Sequence, residues 1–172
     1  MLTLLMSCWY YGSIHSIERA YVQQDVEFLE KNLHHQHQRY MREQSALFLS
    51  KIPHKNIDAE QFKRIVDLLQ ECVQNETEFN DVRAACSVTL AHWSVLEATE
   101  YIIQASQTMQ KEDLFWMCYS LAKLRTPIAI AHLEKQQTRD ILLQHGIQDW
   151  LQKKDPNLEF TPIFQEILED VR

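Results

Sequence analysis

Glycine is nearly missing from this chain: two occur in 172 residues, beside four prolines. Tight hairpin turns and phosphate-cradling loops need backbone at positive φ, which glycine adopts without steric cost. Sheet architectures and nucleotide-loop enzymes are therefore disfavoured, and an all-α fold is expected. Basic residues are short too. Lysine and arginine number 17 against 24 aspartates and glutamates, a formal net charge of −7. A protein that grips phosphate backbones carries the opposite surplus. The expected partner is a basic protein rather than nucleic acid, because complementary fields speed encounter and suppress wrong partners.

Other absences narrow the chemistry. No Gly-rich phosphate loop, H-E-x-x-H, G-x-S-x-G or C-x-x-C motif occurs, so neither a catalytic constellation nor a cofactor is expected. Cys72, Cys86 and Cys118 fall among apolar helical positions, which predicts small buried thiols in a reducing cytoplasm rather than a zinc or redox site. No apolar stretch reaches the ~20 residues of a membrane span. The opening run Met1–Tyr11 has the outline of a bacterial lipoprotein box at Leu5-Met6-Ser7-Cys8. It has no basic lead-in, however, and its apolar core is short. It is expected to be a first helix covering one end of the fold.

What is present is helical periodicity. Apolar stripes run through Ser16–Leu33 (with a break near Gln23–Asp25), Gln38–Ile52, Ala59–Val73, Asp81–Trp93, Val95–Met109, Asp113–Leu124 and Pro127–Glu134. Asn80 or Asp81 is the expected N-cap of the fourth segment and Asp113 that of the sixth, while Thr126-Pro127 opens the seventh. Leu90, Leu96, Trp93, Ile102, Trp116 and Leu121 are expected in the core. Gly146 is the expected stop or kink in the helical stretch Gln136–Leu151. Asp155-Pro156-Asn157 reads as a turn before a last amphipathic helix, Ile163–Val171. Charged positions of Ala59–Val73 suggest i,i+4 pairs, Glu60–Arg64 and Lys63–Asp67. His92 and His132 are expected at the surface, and the turn His34-His35-Gln36-His37 is read as solvated rather than metal-binding.

Three of these helices end alike: Leu49-Ser50-Lys51-Ile52, Leu90-Ala91-His92-Trp93 and Leu121-Ala122-Lys123-Leu124, at offsets of 41 and 31 residues. The first offset also aligns Arg42 with Arg83, and the second aligns Ala98 with Ala129. Two-helix units of this period, together with Asp81-Val82-Arg83, resemble the HEAT-repeat family, whose units often open with Asp-x-Arg. The resemblance covers roughly Asp25 to Glu134. It departs from the pattern where Leu114-Phe115 replace the arginine of the third unit, and where the first unit has a longer turn, Pro53–Asp58.

The resemblance implies one α-solenoid domain over residues 1–172. Its stacked antiparallel hairpins would be clearest over 38–134, with capping helices at both ends, the C-terminal ones within 136–172. It also implies that the second helices of successive units line a concave side. Their polar positions, Glu60, Asp67, Glu71, Glu97, Glu100, Gln104 and Glu134, are mostly acidic and form the candidate partner site. The expected function is a non-enzymatic protein-binding module: an adaptor, or an inhibitor such as a bacterial immunity protein that neutralises a basic toxin. The alternatives are a HEAT-like enzyme such as a DNA glycosylase, which needs a basic groove, or a structural subunit of a larger assembly.

Overall fold

A computed structural model describes residues 16–34, 38–136 and 141–152. The expected first helix within Met1–Tyr11, most of the histidine turn, the Asp155–Asn157 turn and the helix Ile163–Val171 lie outside the described residues. Every regular element among the described residues is helical. In chain order these are α1 (16–23), α2 (Val26–Asn32), α3 (Arg39–Ser50), α4 (Ala59–Gln74), α5 (Asn80–His92), α6 (Thr99–Ser106), α7 (Lys111–Leu124), α8 (Pro127–Lys135) and α9 (Ile141–Gln152). Single 3₁₀ turns stand at His54–Asn56 and Leu96–Ala98. No helix among them is long and apolar enough to cross a membrane.

The helices pack in two rows. In one, α3 lies against α5, α5 against α7 and α7 against α9; in the other, α4 lies against α6 and α6 against α8. The contacts α2–α3, α4–α5, α6–α7 and α8–α9 join the rows. The three similar sequence ends are alike in burial. Leu49, Leu90 and Leu121 have no exposed surface, and Ile52, Trp93 and Leu124 are buried one turn on.

Helix α5 is the centre. Every residue from Val82 to Ala91 is buried, with α3 and α7 on its flanks and α4 beneath. Such a helix has no solvated stripe to mark it as amphipathic. Small side chains at Ala84, Ala85, Cys86, Ser87 and Ala91 let the neighbours close in. Several buried polar groups within the row are paired with one another or with backbone. Thr89 Oγ1 donates to Ala46 O (2.6 Å), Trp93 Nε1 to Ile52 O (3.0 Å), and the Ser87 and Ser120 hydroxyls meet at 3.0 Å.

Both aligned arginines are buried, Arg42 on Glu78 (2.7 Å) and Arg83 donating through Nε to Val73 O (3.0 Å). Breaking a buried ion pair from one side costs about 3–5 kcal/mol, so Arg42–Glu78 ties α3 to the loop that leads into α5. The third unit has Leu114 at this place, buried without any charge.

Several local expectations are corrected. The Val95–Met109 segment is a 3₁₀ turn followed by the shorter α6, and Leu96 is 52% exposed instead of buried. Helix α7 begins two residues before Asp113, with Gln110 at its N-cap, so Asp113 sits in the first turn. Phe79 rather than Asn80 or Asp81 is the N-cap of α5. Gly146 does not stop α9, which runs through it. Trp116 is only half-buried.

Candidate functional site

The seven candidate partner-site residues lie on the second row and on the turn before α6. Asp58 starts α4, its carboxylate accepting from Glu60 N (3.0 Å) and Gln61 N (3.2 Å). Ile65, Leu69 and Val73 form the fully buried stripe of that helix. At about 100° per residue, Glu60, Asp67 and Glu71 stand on the opposite side, and all three are exposed. In α6, Thr99, Ile102, Ala105 and Ser106 are buried, which turns Glu100 and Gln104 outward. Glu97 projects from the 3₁₀ turn.

Thr126 caps α8 by accepting from Ala129 N (3.2 Å), and Pro127 follows at the first position, as the sequence predicts. Ala129 and Leu133 point inward, leaving Glu134 exposed toward one side. Asp67 and Glu71 share a concavity. This is an open depression of about 360 Å³ on α4, completed by Gln70, Gln74 and Asn75. The others are placed on adjacent helices by the α4–α6 and α6–α8 contacts. None of the seven side chains makes a hydrogen bond or ion pair to a described residue, although Glu60 acts electrostatically on Arg64.

The expected Glu60–Arg64 pair gives way to a longer-range one. Arg64 Nε bonds Glu30 Oε1 of α2 at 3.1 Å, and Gln61 Nε2 reaches Glu30 Oε2 at 3.0 Å. Glu30 is the more enclosed partner, its side chain 13% exposed. A fixed carboxylate across the groove therefore outcompetes the mobile one on the same helix. This contact forms part of a second open depression, about 570 Å³, between α2 and α4.

The first row carries an acidic strip that periodicity did not single out. Asp81, in the first turn of α5, takes two hydrogen bonds from Arg39 of α3, whose guanidinium also lies 4.8 Å from the centre of the exposed Phe79 ring. Burial, then Asp81, raises the pKa of Glu43; burial, Asp81 and Glu112 raise that of Asp113. Asp81, Glu112 and Asp113 occupy first helical turns, where the helix dipole favours negative charge. That accounts for this strip structurally. The only sequence signal for it was the pair of expected caps, Asp81 and Asp113.

The two repeat histidines are less plain than expected. His92 Nε2 hydrogen-bonds the Tyr119 hydroxyl (3.2 Å), linking α5 to α7, and His132 Nε2 meets Ser106 Oγ (3.3 Å), linking α8 to α6. Desolvation, then nearby Lys123, pushes the pKa of His92 down from 6.5 to about 4 although an edge of the ring is exposed. Burial lowers that of His132. Both imidazoles are thus held neutral as bridges between helices. Among the described residues no three histidine, cysteine, aspartate or glutamate side chains converge in a way that would hold a metal ion.

Compared with protein-family models, with curated proteins and with solved structures, the chain matches none.

Proposed function

We propose that this chain is a HEAT-like α-solenoid that binds a basic protein partner along the outward face of α4, α6 and α8, without catalysing a reaction. The observation that carries the reading is the placement of Glu60, Asp67, Glu71, Glu97, Glu100, Gln104 and Glu134. All seven are exposed, on helices packed in sequence against one another. Six carboxylates on this exposed face offer negative charge to an incoming cation. Two rows of helices with repeated contacts support the solenoid reading, because one hairpin cannot bury its apolar face alone. The partner is held by an adaptor or by an inhibitor, in the narrower form a bacterial immunity protein facing a basic toxin.

The test begins with capture of the partner from the native source on the full chain. Wild type and the Glu97→Lys/Glu100→Lys double variant are then titrated against that partner at two salt concentrations. The double variant should fold normally, since both positions are exposed, and should associate more slowly at low salt with a smaller difference at high salt. Equal on-rates at both salts exclude this surface. Tight binding of wild type to DNA or RNA instead would favour the nucleic-acid enzyme. A stable stoichiometric complex insensitive to salt would favour the structural subunit.

A further inference from the structure

Two of the cysteines meet. Cys72 lies near the end of α4 and Cys86 in the middle of α5, and these helices pack directly against each other. Cys72 Sγ is 3.7 Å from the Val82 carbonyl oxygen. Cys86 follows Val82 by four residues in the same helix. A helical side chain leans back over the turn that precedes it, which carries the Cys86 sulfur toward that same carbonyl. Cys72 is accordingly close enough to act on the Cys86 thiol and helps to raise its pKa. Both are free, Cys86 fully enclosed and Cys72 half-buried, so a reagent meets the Cys72 side of the pair first.

We propose that Cys72 and Cys86 are a reversible dithiol–disulfide pair that staples α4 to α5 when the chain meets a small-molecule disulfide such as oxidised glutathione. The Cys72 thiolate attacks one sulfur of that disulfide, forming a mixed disulfide and expelling one glutathione thiolate. Cys86, deprotonated in turn, attacks the Cys72 sulfur and expels the second. The two protein thiols lose two electrons and two protons; the glutathione disulfide gains both and leaves as two thiols. Burial pushes the Cys86 thiol well above its ordinary pKa, which makes the second exchange the slower one and dependent on momentary opening between α4 and α5. Cys118, buried on α7 with its pKa pushed up by desolvation to about 12, is the internal control that should stay reduced.

The experiment uses the full chain carrying Cys8→Ser, kept folded and incubated with oxidised glutathione, then read by intact mass and by unreduced peptide mapping. The expected product is lighter by about two mass units, the two hydrogens lost in closing a disulfide, with one linked peptide joining Cys72 to Cys86 that reductant separates. Cys86→Ala should stop at a lasting glutathione adduct on Cys72, and Cys72→Ser should show no closure. Because Cys86→Ala alters the core, the half-buried Cys72→Ser carries the comparison if the former does not fold. An unchanged wild-type mass, a mixed adduct that never closes, or a linked peptide containing Cys118 overturns the proposal.

Discussion

Trp93 and Trp116 show how much one side chain's surroundings decide. Trp93 is 4% exposed, stacks near Phe62 with ring centres 5.4 Å apart, and satisfies the Ile52 carbonyl at the end of α3. Trp116 is half-buried, its ring edge-on to Phe115 and Tyr119 at 5.3 and 5.9 Å. Truncating a core tryptophan costs about 3–5 kcal/mol, and Trp93→Ala should fall in that range. Trp116→Ala should cost clearly less, with part of its cavity open to water. Denaturant midpoints of the two variants, measured side by side, check the order.

His92 supplies a pH dependence whose sign follows from its neutral state. Its folded pKa is about 4 against an ordinary 6.5, so between those values the unfolded chain binds more protons than the folded one. Stability therefore rises with pH through this window and is lost as pH falls from 6.5 toward 4. His132, also lowered by burial, acts in the same direction. The raised carboxyls Glu43 and Asp113 act oppositely, favouring the fold while protonated and losing that contribution as pH rises through their folded values. His92→Asn should flatten the thermal midpoint between pH 6.5 and 4 relative to wild type. A curve of unchanged slope would show that the imidazole is not held neutral by the fold.

At the scale of elements, the scarcity of glycine has a price met at the turns. Gln24, Ser94 and Arg125 have φ of 53°, 58° and 50°, and they end α1, α5 and α7. Two of these exits are closed by the same bonds, Asp25 N to Ala20 O (2.8 Å) and Val95 N to Leu90 O (2.9 Å), which are the wide ring of a helix C-terminus folding back on itself. A left-handed non-glycine residue costs about 1–2 kcal/mol, and glycine returns part of that as extra freedom in the unfolded chain, about 0.4–1 kcal/mol. Ser94→Gly should thus stabilise by up to about 1 kcal/mol, and Ser94→Val should destabilise. Thermal or denaturant unfolding of the pair decides it. Arg125→Gly is the poorer choice, because Arg125 also donates to Trp150 O at 3.2 Å.

Turns also mark where the sequence was hardest to read. Low glycine correctly disfavours sheets, but it does not forbid tight turns, since Ser94 and Arg125 make them at a strain. The αL break at Ser94 delays the start of α6 to Thr99, so the stripe read through Ile102 does not extend back to Leu96, which faces water. Gly146 was read as a stop or kink, but glycine costs a helix interior only about 1 kcal/mol, and α9, packed against α7 and α8, runs through it.

For the molecule as a whole, the burial of Leu49, Leu90 and Leu121 was legible because each lies on the apolar stripe of its own helix. The exposure of Glu60, Asp67, Glu71, Glu100 and Gln104 was legible for the complementary reason, lying opposite strong apolar stripes. Pairing across elements was not. Nothing local announces that Arg64 prefers Glu30 to Glu60, that Arg39 reaches Asp81 forty-two residues on, or that Cys72 lies against the Val82 carbonyl one turn before Cys86. Such choices are made by the packing angle between helices, which periodicity along one helix does not encode.

The enclosure of α5 has a kinetic consequence. Its backbone amides are sealed by α3, α4 and α7 together, so no single neighbour can lift away and admit water along its whole length. Deuterium should enter the middle of α5, around Cys86 to Leu90, only through opening of the entire stack. The protection there should therefore equal the global unfolding free energy, while α2, which packs chiefly on α3 among the described helices, exchanges earlier by local excursions. The slowest amides of this chain would then sit in the helix whose sequence showed the least amphipathic pattern.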